Sequence, residues 1–218
     1  MKKLLTIIAA ATISTSAFAD SAGKFYLRAD AGAALDSKSK VTVARGTSEV
    51  TLKNKASASA DLGIGYNMSD DSRIELVFLH RFNPEMKGSR NAVVAGVGSS
   101  TRSVKSKAKI ETLMLRSYFD LYDFGIGRFF IGGGVGVAQV SNKGSWALAN
   151  SSGTLRSGSF KNKKKNNFAY SVAAGTSFNI KERIKLDLQY NWSDFGHAKG
   201  SDVKYRGHSV MAGLRVDL

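Results

Sequence analysis

Eight segments of the chain alternate apolar and polar side chains with a period of two residues, which is the period of a β-strand. In segment 57–68, for example, Leu62 and Ile64 alternate with Asp61 and Gly63. The eight segments are residues 24–35, 57–68, 73–82, 110–121, 128–140, 168–180, 184–193 and 208–218. Alternating segments of about ten residues are typical of a transmembrane β-barrel, whose strands contact lipid on one side and the lumen on the other.

The lengths of the connections between these segments distinguish a barrel from a soluble sandwich. Long connections alternate strictly with short ones: the long ones are 36–56, 83–109, 142–167 and 195–206, and the short ones are 69–72, 122–127 and 181–183. Bacterial outer-membrane barrels have long extracellular loops and short periplasmic turns, whereas a soluble β-sandwich follows no such rule. The sequence therefore predicts an all-β fold, an eight-stranded antiparallel up-and-down transmembrane β-barrel with both termini in the periplasm.

The first nineteen residues, MKKLLTIIAAATISTSAFA, have the features of a secretory signal peptide. Two lysines precede an apolar stretch, and Ala17 and Ala19 form the A-x-A pattern that signal peptidase cleaves. We expect residues 1–19 to be removed and residues 20–218 to form the barrel, and export argues against a nucleic-acid partner. The chain has no cysteine and no later apolar run long enough for a transmembrane helix.

Charged residues on the polar side of the predicted strands balance one another. The six basic residues are Arg28, Arg73, Arg81, Arg116, Lys185 and Arg215, and the six acidic residues are Asp30, Asp61, Glu75, Asp120, Asp187 and Asp217. An eight-stranded barrel is just wide enough for its side chains to fill, and unpaired buried charges cost several kcal/mol. We therefore predict a plugged, salt-bridged lumen, although the sequence does not identify the pairs.

The predicted loops, in contrast, are strongly basic. The second loop has six basic residues and one acid, and the third loop has six basic residues and no acid. Such a surface attracts an acidic partner through its summed field. The candidate partner-binding residues are Lys161, Lys163, Lys164, Lys165, Arg156, Lys143, Arg102, Lys105 and Lys107. An alternative interpretation is a solvated face that touches outer-membrane lipid and lipopolysaccharide.

Two features that resemble catalytic or cofactor motifs fail their tests. The stretch GIGRFFIGGGVGVAQ has neither G-x-G-x-x-G nor G-K-[ST], so Gly132, Gly134 and Gly136 are interpreted as residues that make room inside a narrow barrel. His80 and His208 lack the H-x-S pattern of lipid A deacylases, and the histidines have no metal-ligand spacing. We therefore expect no enzyme activity, no cofactor and no metal site.

The closing strand YRGHSVMAGLRVDL resembles the end of the opacity-like family of eight-stranded outer-membrane proteins. FFIGGGVGVAQV and NNFAYSVAAGTSF look like the fifth and sixth strands of that family, and with the start MKKLLTIIAAA the chain looks most like its rickettsial surface adhesins. The resemblance implies an adhesin that binds a host protein, with vitronectin as the partner, and that aids serum resistance. Many members end in Phe, which favours barrel insertion; this chain ends in Leu218, so we expect less efficient insertion.

Two functions follow from these observations. The first is an adhesin that binds vitronectin, another acidic host protein or a sulfated glycan through its basic extracellular loops. The alternative is a structural outer-membrane barrel or small leak porin with no specific ligand.

Overall fold

The computed structural model describes residues 23–36, 39–42, 49–54, 56–82, 84–94, 98–150, 153–197 and 204–218, so the predicted signal peptide 1–19 lies outside it. All the regular structure in these residues is β. The strands are β1 Phe25–Asp36, β2 Ser39–Thr42, β3 Glu49–Asn54, β4 Ser57–Asn67, β5 Ser72–Arg81, β6 Glu85–Val94, β7 Gly98–Asp123, β8 Gly127–Asn150, β9 Gly153–Lys161, β10 Lys165–Lys181, β11 Ile184–His197 and β12 Lys204–Asp217. No helix in the described ranges is long and apolar enough to span a membrane.

Eight of these strands close into a ring. Its order is β1, β4, β5, β7, β8, β10, β11 and β12, every pair is antiparallel, and β12 pairs again with β1. The register of β1 shows the closure, because Ala29 lies opposite Leu62 of β4 on one side and Leu214 of β12 on the other. The predicted eight-stranded up-and-down barrel is confirmed.

The outside of the ring is apolar and exposed, as the alternation predicts. Leu62 is 51% exposed, Leu115 is 49% exposed and Val137 is 54% exposed, and their neighbours along each strand are buried or half-buried. A continuous apolar exterior of this kind is stable only against lipid, since soluble proteins rarely leave large apolar patches in water. The predicted lipid-facing side of the strands is therefore the side that faces outward.

The lower and middle lumen is filled by paired charges. Arg28 lies 3.0 Å from Asp30 and 3.2 Å from Glu75, and Arg116 lies 2.8 Å from Asp61. Further pairs join Arg28 to Asp187, Arg73 to Asp120, Arg215 to Asp187 and Lys185 to Asp217. Arg28, Arg73, Arg116, Lys185 and Arg215 of the predicted basic set thus pair with acids of the predicted acidic set, and Arg81 lies over the ring of Phe195.

The upper lumen contains an apolar cluster, which the sequence did not predict. Its buried cluster consists of Leu79, Met86, Ala108, Ile110, Met114, Ala138, Val140, Ala169, Phe195 and Tyr205. Met86, Phe195 and Tyr205 lie outside the eight predicted segments, so their inward positions depend on strands that are longer than the apolar alternation indicates. The cluster lies above the Arg116–Asp61 pair, and the fully buried Arg81 packs against it over the ring of Phe195.

The glycines of β8 provide space in the lumen wall, as predicted. A Cβ on Gly132 would lie 2.3 Å from the ring of Tyr118, and one on Gly134 would lie 2.5 Å from Cγ of Arg116. Real Cβ atoms do not approach this closely, so only glycine lets these two large side chains fit against β8.

Candidate functional site

Two segments that the sequence assigned to loops, 83–109 and 142–167, consist mainly of strand. In the first hairpin, β5 and β6 run in line along β7, which continues from the barrel wall out to Gly98. In the second hairpin, β9 and β10 run in line along β8, which continues to Asn150. Because β7 and β8 also pair with each other as far as Thr101 and Ala149, the barrel wall continues upward as one sheet. We call this sheet the extension.

A one-residue bulge interrupts each hairpin at the same height. Arg81 lies opposite Ile110 and Glu85 lies opposite Lys107, so β5–β6 has one residue more than β7 between these pairs. In the second hairpin, Lys161 lies opposite Lys143 and Lys165 lies opposite Val140, so β9–β10 also has one residue more than β8 between these pairs. Bulges are common at the rims of barrels, where they increase the local twist. Pro84, the single proline of the chain, lies in the first bulge, where its missing N–H breaks no ladder hydrogen bond.

The outer side of the extension has rows of lysine that cross neighbouring strands. Lys107 of β7 lies opposite Lys143 of β8, which lies opposite Lys161 of β9. All three side chains are exposed, and by strand alternation they have the parity of the lipid-facing residues Leu113 and Val137. We call Lys107, Lys143 and Lys161 the outward lysine row.

Acidic residues neutralise part of this surface, and Glu111 Oε1 lies 2.8 Å from Lys109 Nζ. Glu85 Oε1 lies 3.2 Å from Lys87 Nζ and 3.5 Å from Lys105 Nζ, and Glu85 Oε2 lies 3.9 Å from Lys107 Nζ. The hydrogen bond from Lys87, with the charges of Lys105 and Lys87, lowers the pKa of the Glu85 carboxyl. Within the described ranges, no carboxylate forms an ion pair with Lys143 or Lys161.

A shallow hollow of about 430 Å³ lies on this face. Its lining consists of Lys105, Lys107, Lys143, Gly144, Ser145, Ser159, Phe160 and Lys161. By strand alternation the four lysines and the two serines share the outward side, whereas Gly144 and Phe160 have the opposite parity. Ammonium groups and hydroxyls together can hold an anion that also accepts neutral hydrogen bonds.

The other predicted partner-binding residues lie elsewhere. Arg102 and Arg156 both lie opposite Leu148, and this row has the parity opposite to that of the outward lysine row. Lys165 begins β10 opposite the buried Val140 and so has the same inward parity as Arg102. We call Arg102, Arg156 and Lys165 the mouth-side group. Lys163 and Lys164 are exposed in the bulge that connects β9 to β10. The nine residues predicted as one basic surface are therefore divided between two faces and a bulge.

Several residues of this region were not identified from the sequence. Ser145 and Ser159 are unremarkable in a Ser-rich stretch, and only the register of β7, β8 and β9 places them beside Lys105. Trp146 has the opposite parity and covers Gly158, where a Cβ would lie 2.9 Å from its Nε1. The available signal was the alternation of Lys105, Lys107 and Lys109, which indicates a strand with one charged face.

Comparison with known proteins identifies the family. The profile described as "Outer membrane protein beta-barrel domain" matches residues 5–215. The chain belongs to the outer-membrane β-barrel family. A candidate adhesin of Rickettsia bellii (strain RML369-C) is 33% identical over 235 residues, covering 100% of both chains. A candidate adhesin of Rickettsia prowazekii (strain Madrid E) is 36% identical over 217 residues, 98% of this chain and 92% of that one.

Solved structures show the same fold at low sequence identity. Neisserial surface protein A is 14% identical with a TM-score of 0.54, covering 91% of this chain and 100% of that one. The outer-membrane protein OprG of Pseudomonas aeruginosa is also 14% identical, with a TM-score of 0.50 and coverage of 90% and 96%. The resemblance to rickettsial surface adhesins is confirmed at the level of the family. The protein lies in the bacterial outer membrane, with surface-exposed parts.

Proposed function

We propose that this outer-membrane protein is an adhesin that binds an acidic host ligand, vitronectin or a sulfated glycan, through its basic extension, and that this binding aids serum resistance. The observation that carries the proposal is the extension itself. It projects from the apolar barrel on two paired hairpins and carries cross-strand rows of basic residues with few acids. The rickettsial relatives, which are themselves candidate adhesins, support the same function.

The length of the extension suits a ligand at the cell surface. From Leu113, the last outward apolar residue of β7 on that side, to Gly98 is fifteen residues. That is about 50 Å of strand, or roughly 35 Å of height at a tilt of about 45°. A rigid sheet of this kind presents its charges with less ordering entropy than an irregular loop of equal length.

We assign the direct host contacts to the mouth-side group, because a soluble ligand approaches from above and not through the lipid. Arg156 and Lys165 are exposed, and Arg102 shares a row position with Arg156. Lys161, Lys163 and Lys164, which with Lys165 form the lysine run predicted as a principal contact, contribute long-range attraction that speeds encounter. Exposed charges of this kind are screened over about 8 Å at physiological salt, so capture should weaken as salt rises.

Two variants with equal loss of charge test this assignment. The mouth-side variant is Arg102→Gln/Arg156→Gln/Lys165→Gln, and the matched control is Lys107→Gln/Lys143→Gln/Lys161→Gln. Three contacts at roughly 0.5 kcal/mol each predict about tenfold weaker capture of vitronectin or heparin by cells carrying the mouth-side variant. The control should lose less than threefold, with equal amounts of folded barrel verified by heat-modifiable migration on gels.

Three outcomes separate the alternatives. Equal losses in the two variants would mean that only net charge matters and would remove the assignment of contacts. No loss in either variant, with unchanged salt dependence, would favour a structural barrel without a specific ligand. Loss confined to heparin would select the glycan over vitronectin as the host ligand.

A further inference from the structure

The outward lysine row places like charges side by side with few acids to neutralise them, and attraction of a host ligand does not explain this arrangement. Like charges directly opposite one another on neighbouring strands are destabilising, yet Lys107, Lys143 and Lys161 occupy one continuous row. Only Lys107 has an acid nearby, at 3.9 Å from Glu85, and no described carboxylate pairs with the other two. An external anion would remove the repulsion within the row.

The direction of the row restricts where that anion lies. Its side chains have the parity of Leu113 and Val137, the last outward apolar pair on β7 and β8 before the polar residues Glu111 and Gln139. The face that contacts lipid below is therefore the face that carries the lysines above. A partner of this row lies beside the barrel, at the side of the extension.

The height of the row restricts the partner further. Lys107 is six residues beyond Leu113, which is about 20 Å along the strand and roughly 15 Å above the apolar edge at a tilt of about 40°. The polar layer of an ordinary bilayer is only about 5–8 Å thick on each side. Phospholipid head groups end below the row, whereas the sugars of a glycolipid leaflet extend to it.

We propose that the outward lysine row, with Lys105, Ser145 and Ser159, binds phosphate groups on the saccharide of the lipopolysaccharide that surrounds the barrel. These six side chains, together with Gly144 and Phe160, line the hollow of about 430 Å³, which accommodates a phosphate with its sugar. The lysines neutralise the phosphate oxygens and the serine hydroxyls hydrogen-bond to phosphate or sugar oxygens. The site is independent of the proposed host contact, which lies on the opposite parity.

The test uses the full folded barrel in detergent micelles and fluorescent rough lipopolysaccharide as the probe. Each lysine near an anionic lipid surface changes affinity about fivefold, so Lys107→Gln/Lys143→Gln/Lys161→Gln should weaken binding about a hundredfold. The mouth-side variant Arg102→Gln/Arg156→Gln/Lys165→Gln removes the same charge and should stay within threefold of the parent. Lipopolysaccharide stripped of its phosphates should bind the parent and both variants alike.

A charge-conserving variant controls for folding. Lys107→Arg/Lys143→Arg/Lys161→Arg should fold with unchanged heat-modifiable migration and keep most of the binding. Equal losses in the glutamine and mouth-side variants would overturn the proposal, because only net charge would then matter. So would a glutamine variant that loses heparin binding but keeps lipopolysaccharide, since the row would then be a host-glycan contact. The proposal would also be overturned if the glutamine variant lost as much affinity for phosphatidylglycerol vesicles as for lipopolysaccharide. The row would then bind any anionic lipid surface.

Discussion

Breaking the buried pair between Asp61 and Arg116 should be far more costly than removing both partners. The Arg116 Nη1 to Asp61 Oδ2 distance is 2.8 Å, and each side chain is only 2% exposed. Glu75 is not free to replace Asp61, because it already accepts hydrogen bonds from Tyr26 at 2.7 Å and from Arg28 at 3.2 Å. Removal of Asp61 therefore leaves Arg116 charged in the lumen without the ion-pair partner that lies 2.8 Å from it.

The expected magnitudes follow from burial. Asp61→Leu alone and Arg116→Met alone should each destabilise the barrel by about 3–5 kcal/mol, the cost of an orphaned buried charge. The double variant should lose no more than about 2 kcal/mol, because a well-packed apolar pair often replaces a buried ion pair with little loss. The two single losses should therefore be strongly non-additive.

Urea unfolding in lipid vesicles, followed by tryptophan fluorescence, measures these free energies. The slope of the transition must be the same in all four proteins, so that the midpoints report stability alone. Losses below about 1 kcal/mol for both single variants would refute the argument, since that is the value for solvated surface pairs. The lumen would then be wet, and the inference that it is plugged would fail with it.

Two further predictions concern the mouth of the barrel and the extension. Because Ile110, Met114 and Phe195 are fully buried in the upper lumen, planar bilayers containing the protein should show no large steady conductance; a stable open channel would contradict the closed lumen. The ordinary pKa of a glutamate carboxyl is about 4.5, and the pKa of Glu85 should lie below it because Lys87 stabilises the carboxylate. A lowered folded-state pKa means that this contact is complete above the ordinary value and is lost as pH falls through the lowered one. NMR titration of the Glu85 carboxyl carbon checks the direction, and a pKa at or above the ordinary value would contradict it.

The barrel was predictable because lipid and a narrow lumen impose the same alternation on every strand. Leu62 and Leu115 had to face outward, and Asp61 and Arg116 had to face inward, whatever their neighbours were. The charge balance of the lumen followed from the same requirement. The identity of the pairs did not, because Asp61 and Arg116 are 55 residues apart and meet only through the register of β4, β5 and β7.

The extension was not predictable by the same reasoning. Residues 98–107, GSSTRSVKSK, have almost no apolar contrast, so hydropathy assigns them to a loop. Alternation of serine with lysine offers no apolar side that hydropathy could recognise, although Ser100 and Ser106 are buried in the structure. Pairing with β8 fixes this segment as strand, and that pairing is a long-range contact that a local pattern does not reveal.

The division of the basic residues into faces has the same origin and is the more consequential result. In an irregular loop, Lys107, Lys143, Arg102 and Arg156 would form one mobile cloud of charge. In a sheet that continues the barrel wall, the parity set by the lipid-facing residues extends into the aqueous layer and fixes which side each position occupies. One strand can therefore hold the membrane's own anions on its outward side and leave its other side for a ligand from above. Effects of charge substitutions on this surface should then depend on residue parity, which a count of charges ignores.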